Sequence, residues 1–185
     1  MQLQEFPLTP DIDPVSVFKA LRERFGIPTV ILESMSFDDR NQMSLIATTP
    51  VQEVITHEHT LTEIKSKLET TQDLPADFPF SGGLIGYFNS EVYAETEDIP
   101  TAPNDKNTPN AIFYEFSRFF FFDHEQKKLI CLQTTPNEKF DTEIEEIISA
   151  SKKLKSPEID TELFKGPKLA DYSQIESELS FEDFE

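Results

Sequence analysis

The sequence predicts a mixed α and β fold, on three observations. Residues 111–123 form a long apolar run that a short polar stretch, His124-Glu125-Gln126-Lys127, turns back into a second apolar run at 128–134. That pattern is a hairpin of two strands. Residues 137–154 place Phe140, Ile144, Ile147 and Ile148 on one stripe among charged residues, which is an amphipathic helix. The stretch Pro79-Phe80-Ser81-Gly82-Gly83-Leu84-Ile85-Gly86-Tyr87-Phe88 puts three of the five glycines inside an apolar strand. Glycine packs nothing there, so its presence signals a kink, a bulge or a close approach of other backbone.

The elements follow in order. Asp13 suits a helix N-cap and Pro14 the first helical position. Val17, Phe18, Leu21 and Phe25 then recur at helical spacing until Gly26 stops the run. Residues 28–34 read as a strand rich in branched side chains. Residues 43–54 read as two short strands broken near Thr49-Pro50. Thr60-Leu61-Thr62-Glu63 has capping-box spacing, and Leu61, Ile64 and Leu68 share one face of the short helix that follows. The glycine strand is expected over 80–88, with an acidic, proline-spaced surface loop over 95–110. Four consecutive Phe residues, 119–122, leave the next strand no polar face, so it is expected to be buried on both sides.

Composition narrows the function. The chain has 185 residues, enough for one domain or one domain with a tail. Hydrophobic residues make up 37%, a low share that 17 Phe residues offset through the large area each ring buries. The formal net charge of −19 repels phosphate backbones and anionic headgroups, which argues against nucleic acid and against membrane surfaces as partners. Cys131 stands alone, so no intrachain disulfide forms, in keeping with a reducing cytoplasm. Its apolar neighbours, Ile130 and Leu132, suit a buried small hydrophobe. No signal-peptide pattern and no window of transmembrane length occurs, so a cytoplasmic protein is expected.

Catalytic motifs are sparse. His57-Glu58-His59 lacks a third ligand and HExxH spacing, and reads as a solvated strand end or loop. The glycines at 82, 83 and 86 form neither a Walker loop nor GxGxxG. No GxSxG elbow is present. One polar pair carries a candidate role: Glu33 and Ser34 directly follow Thr29-Val30-Ile31-Leu32. A carboxylate and a hydroxyl at a strand end can bind the ammonium and carboxylate of an amino acid. They can equally be a solvated acid and a turn-capping serine.

The order of several segments resembles the anthranilate synthase component I family, which includes aminodeoxychorismate synthase component I. The matching pieces are Ile31-Leu32-Glu33-Ser34, Ser44-Leu45-Ile46, the glycine stretch from Pro79 to Phe88, Glu97 with Ile99-Pro100, Pro109-Asn110-Ala111-Ile112-Phe113-Tyr114, and Phe122-Asp123-His124 with Lys127-Lys128-Leu129. Ser180-Phe181-Glu182-Asp183-Phe184 resembles the opening of that family's chorismate-binding half. It also starts as a helix does, with Ser180 as cap and acids in the first turn.

The resemblance implies an α+β fold, a twisted antiparallel sheet with helices packed outside. Residues 1–155 would form the N-terminal domain, and 156–185 a linker and the start of a chorismate-binding half. It implies conversion of chorismate to anthranilate in tryptophan biosynthesis, with Mg2+ and the catalytic residues in that other half and ammonia from a glutamine amidotransferase subunit. No catalytic, metal or cofactor residue is expected in this chain, which would be inactive alone. On the same resemblance, Leu32, Glu33, Ser34 and Ile112 contribute to a feedback site for L-tryptophan. Two departures stand out: Asn41-Gln42-Met43 replaces a basic residue and aromatic ahead of Ser44, and Asn89-Ser90-Glu91 replaces Ser-Tyr-Asp after Phe88. The same domain of an aminodeoxychorismate synthase, and a non-catalytic acidic interaction module, remain alternatives. A sheet face left open by a missing half is expected to leave the chain marginally stable or self-associating.

Overall fold

The structure is a computed structural model that describes residues 1–33, 43–71, 73–74, 78, 80, 82–97 and 108–154. Among these residues six strands form one open antiparallel sheet: β1 (Gln2–Pro7), β2 (Val30–Leu32), β3 (Met43–Thr56), β4 (Ile85–Phe88), β5 (Ala111–Asp123) and β6 (Lys128–Gln133). Three helices of the described residues accompany it: α1 (Pro14–Phe25), α2 (Thr60–Leu68) and α3 (Phe140–Ser151). A 3-10 segment, Ser90–Glu95, follows β4. The fold is the α+β class that the resemblance implied.

β5 is the spine. β3 pairs with it from Thr56↔Ala111 to Met43↔Asp123. Its other edge is shared by β6, which faces Arg118 to Asp123, and β4, which faces Ala111 to Tyr114. β1 extends the sheet beyond β6, and β2 extends it beyond β3. The four phenylalanines divide as alternation requires. Phe120 and Phe122 pack with Val17, Leu21, Phe140, Ile144 and Ile147 under α1 and α3. Phe119 and Phe121 pack on the opposite face with Leu45, Leu74, Phe78 and Ile85. All four are at most 4% exposed, so the expectation of burial on both sides holds.

Local chemistry explains the helix ends. Asp13 accepts a hydrogen bond from Ser16 N at 2.9 Å, the N-cap its position suggested, typically worth ~1 kcal/mol. Gly26, at φ 77°, closes α1 with its N–H on the Arg22 carbonyl. α2 departs from the capping-box expectation. Its cap position is His59, in a left-handed conformation and with no side-chain cap bond. The carboxylate of Glu95 instead accepts from Thr60 N at 2.8 Å and Leu61 N at 3.2 Å. The Thr60 hydroxyl turns inward to Thr56 Oγ1.

Three further differences concern strands. Residues 43–54 are one continuous strand rather than two: the break near Thr49-Pro50 is absorbed as a register irregularity between Pro50 and Gln52, with Thr49 at φ 60°. The glycine strand is shorter than expected, because Gly82 and Gly83 have φ of 99° and 108° and pairing begins only at Ile85. β1, which no periodicity had marked, aligns Gln2 to Pro7 with β6. Residues 155–185, and with them the expected linker and second-half opening, lie outside the described residues.

No described helix is long and apolar enough to cross a membrane. Among the described residues, buried charge is confined to Arg118 and Asp123.

Candidate functional site

The candidate residues on β2 sit at an edge. β2 pairs with β3 through Val30↔Ala47, Ile31↔Ile46 and Leu32↔Leu45. Leu45 is buried, while Leu32 is 52% exposed, leaving an apolar side chain open at the end of the strand. Glu33 follows it and is exposed. Ser34 lies outside the described residues. Continued by one step, the β2–β3 register brings Glu33 level with Ser44.

Ser44 and His124 were not among the sequence candidates, and the structure joins them. Ser44 is 1% exposed, and its Oγ lies 2.9 Å from Nε2 of His124, whose ring stacks on Phe122. β3 positions the serine and the β5–β6 turn the histidine. Asp123 shapes that turn by accepting from Gln126 N at 2.7 Å rather than by orienting the imidazole. Among the described residues no third group orients the imidazole, so the pair reads as a structural hydrogen bond rather than an activated nucleophile. Only the motif Phe122-Asp123-His124 hinted at this pair in the sequence.

Ile112 lies elsewhere. It pairs with Ile55 of β3 and Tyr87 of β4, whereas Leu32 and Leu45 are level with Phe121. Phe121 and Ile112 are nine residues apart on β5, a span of ~30 Å in extended strand. An amino acid is too short to touch both, so the structure does not bring Ile112 into one cluster with Leu32 and Glu33. Ile112 instead belongs to an open patch with Ile55, 46% exposed, and Tyr87, 54% exposed. On the same face Tyr114 donates its hydroxyl to Glu53 Oε1 at 2.7 Å. That bond, then partial burial and the Glu53 charge, push the phenol above its ordinary range.

Other chemistry is muted. His57 and His59 are exposed, in line with a solvated loop. Cys131 is fully buried, and burial pushes its thiol far above the usual range. Among the described residues no group of three or more His, Cys, Asp or Glu converges as a metal site, so they do not fit a Mg2+ centre.

No family model matches the chain. It is 31% identical over 188 residues to anthranilate synthase component 1 of Lactococcus lactis, an alignment covering 90% of this chain and 40% of that protein. It is 28% identical over 112 residues to an anthranilate synthase component I-like protein of Synechocystis, covering 58% of this chain and 22% of the relative. The crystal structure of anthranilate synthase component I from Streptococcus pneumoniae superposes with a TM-score of 0.50 at 20% identity, over 82% of this chain and 37% of that one, a likeness of fold. The chain therefore spans 40% or less of the length of these relatives. The sequence similarity supports the anthranilate synthase component I family for this chain, which matches part of those proteins, and the fold agrees.

Proposed function

We propose that this chain is the N-terminal scaffolding and regulatory domain of an anthranilate synthase component I acting in cytoplasmic tryptophan biosynthesis. In this reading residues 1–155 are the domain and 156–185 lead into a chorismate-binding half. That half holds the Mg2+ and the residues that convert chorismate to anthranilate, with ammonia delivered by a glutamine amidotransferase subunit. This chain supplies half of a feedback pocket: the ammonium of L-tryptophan sits on the Glu33 carboxylate, its carboxylate on the Ser34 hydroxyl, and its ring on Leu32. The open face around Ile55, Ile112 and Tyr87 is the surface that the other half covers.

The observation that carries the reading is the 31% identity across 90% of the chain, against a relative more than twice its length. The exposed end of β2 supports the pocket, because an apolar side chain and an acid stand open there without partners among the described residues. The test is a thermal melt of the intact polypeptide that carries this sequence, with L-tryptophan. A ligand that binds only the folded state adds ~2.7 kcal/mol at a hundredfold excess over its dissociation constant. The expected result is a rise in Tm that Glu33→Gln abolishes and D-tryptophan does not produce. No rise with the unmodified protein overturns the regulatory assignment.

A further inference from the structure

A cavity of about 330 Å³ opens between the first turn of α2 and the 3-10 segment Ser90–Glu95. Leu61 of α2, Phe88 at the end of β4, and Val92 and Tyr93 of the 3-10 segment give it apolar walls. Hydrogen bonds hold these walls in place. Asn89 N donates to the Asn110 carbonyl at 2.7 Å, which ties the end of β4 to the start of β5. The Glu95 carboxylate, on Thr60 N and Leu61 N, ties the 3-10 segment to α2. Phe88 turns to the face of the sheet that α2 covers, where its ring meets Phe113 edge-on at 4.8 Å. Tyr87 and Ile112 alternate to the opposite face, so the cavity is separate from their patch.

The polar groups of the cavity are neutral: Asn89, Ser90 and Thr96 line it, and among the described residues no charged side chain does. Ser90 Oγ donates to Asn89 Oδ1 at 3.2 Å, and Thr96 Oγ1 donates to the Tyr93 carbonyl at 3.2 Å. Those bonds use both hydroxyl protons and the Asn89 carbonyl oxygen. The Asn89 amide N–H groups have no partner among the described residues.

We propose that this cavity binds an uncharged aromatic molecule that carries one hydrogen-bond acceptor. The ring lies among Leu61, Phe88, Val92 and Tyr93, where two aromatic neighbours offer edge-to-face contact. The acceptor takes the Asn89 amide N–H. A charged group entering the cavity would lose water without meeting an opposite charge on its walls, which selects against ions of either sign. A pre-formed apolar hollow of this size with a single open donor has the character of a small-ligand pocket. The site lies on a different element from Leu32 and Glu33 and does not depend on the feedback reading.

The test is a methyl NMR titration of the intact polypeptide that carries this sequence, with three probes. Acetophenone has the ring and the acceptor, ethylbenzene has the ring alone, and benzoate has the ring with a charge. Acetophenone is expected to shift the Leu61 and Val92 methyl signals saturably at millimolar concentration. Benzoate is expected to bind at least about tenfold more weakly. Asn89→Asp replaces the donor by an acceptor of the same shape, and is expected to weaken acetophenone about fivefold while leaving ethylbenzene unchanged. The carboxylate can still accept from Ser90, so the variant is expected to keep the wild-type melt. Absence of saturable shifts at Leu61 and Val92, benzoate binding as tight as acetophenone, or unchanged acetophenone affinity in Asn89→Asp each overturns the site.

Discussion

Gly86 lies directly against Phe113: a methyl group at position 86 would stand 2.6 Å from Phe113 Cα and 2.0 Å from the carbonyl oxygen of Ile112. Neither atom is the end of a flexible side chain, so β4 cannot pair with β5 unless residue 86 is glycine. The glycine-rich stretch thus has its close approach of backbone, at its third glycine. Gly86→Ala is expected to cost ~3 kcal/mol, the upper end for overpacking, measured as a fall in the urea midpoint. Gly83→Ala meets only Leu68 Cδ2 at 3.6 Å, and its φ of 108° sets the penalty instead, at ~1–2 kcal/mol. Equal losses for the two variants would contradict this assignment.

Glu95 makes the stability of α2 depend on a carboxylate 34 or more residues away. Its partial burial acts to raise the pKa, but the hydrogen bonds from Thr60 and Leu61 and the Asn110 side chain outweigh it, and the net direction is downward from 4.5. A group depressed in the folded state stabilises above its unfolded pKa and loses that contribution as pH falls through the folded one. Glu95→Gln is therefore expected to destabilise the protein at pH 7 by an amount typical of a lost helix cap, ~1 kcal/mol, and the difference from wild type is expected to shrink as pH falls through the range where Glu95 takes up its proton. A difference that grows toward acid would refute the cap.

Arg118 and Glu143 form an asymmetric pair. Arg118 is 4% exposed, bonds Gln133 and the Glu143 carboxylate at 2.9 Å, and lies 4.6 Å over the Phe25 ring. Glu143 is the more exposed partner and keeps Asn137 and a distant Arg24. Removing the acid strands a buried cation, whereas removing the arginine leaves an acid that water can reach. Glu143→Ala is expected to cost ~3 kcal/mol and Arg118→Met distinctly less, by chemical denaturation. The reverse order would contradict the packing described.

The patch of Ile55 and Tyr87 beside Ile112 is expected to drive association of the isolated 185-residue chain. Light scattering should show a mass above that of the monomer, rising with salt as the −19 charge is screened. Ile55→Glu with Tyr87→Glu should return it to monomer without lowering its melt. A monodisperse wild-type monomer at high salt would leave the patch without a role.

Much of the fold was legible in the sequence. The β5–β6 hairpin and α1 declared themselves because their signals are local: a run of Phe, a polar turn, a cap, a terminal glycine. α2 was found but its cap was misread, because Glu95 arrives from a distant segment and sequence spacing cannot register it. β1 was missed because an edge strand of alternating polar and apolar residues gains its identity only from β6. The break in β3 was overstated because a bulge lets Pro50 stay in a strand. At the candidate site, the sequence placed Glu33 at a strand end, but not the exposure of that end, because the edge position of β2 depends on which strands pair. The distance to Ile112 and the Ser44–His124 bond were not legible either, since both depend on register across three strands.

The most direct measurement is anthranilate fluorescence on supplying chorismate, Mg2+ and ammonia to this chain alone and to the intact polypeptide that carries it. The expected result is no anthranilate from the chain alone and turnover from the intact polypeptide, inhibited by L-tryptophan through Glu33. Anthranilate formed by residues 1–185 unaided would contradict the division of scaffold from chemistry.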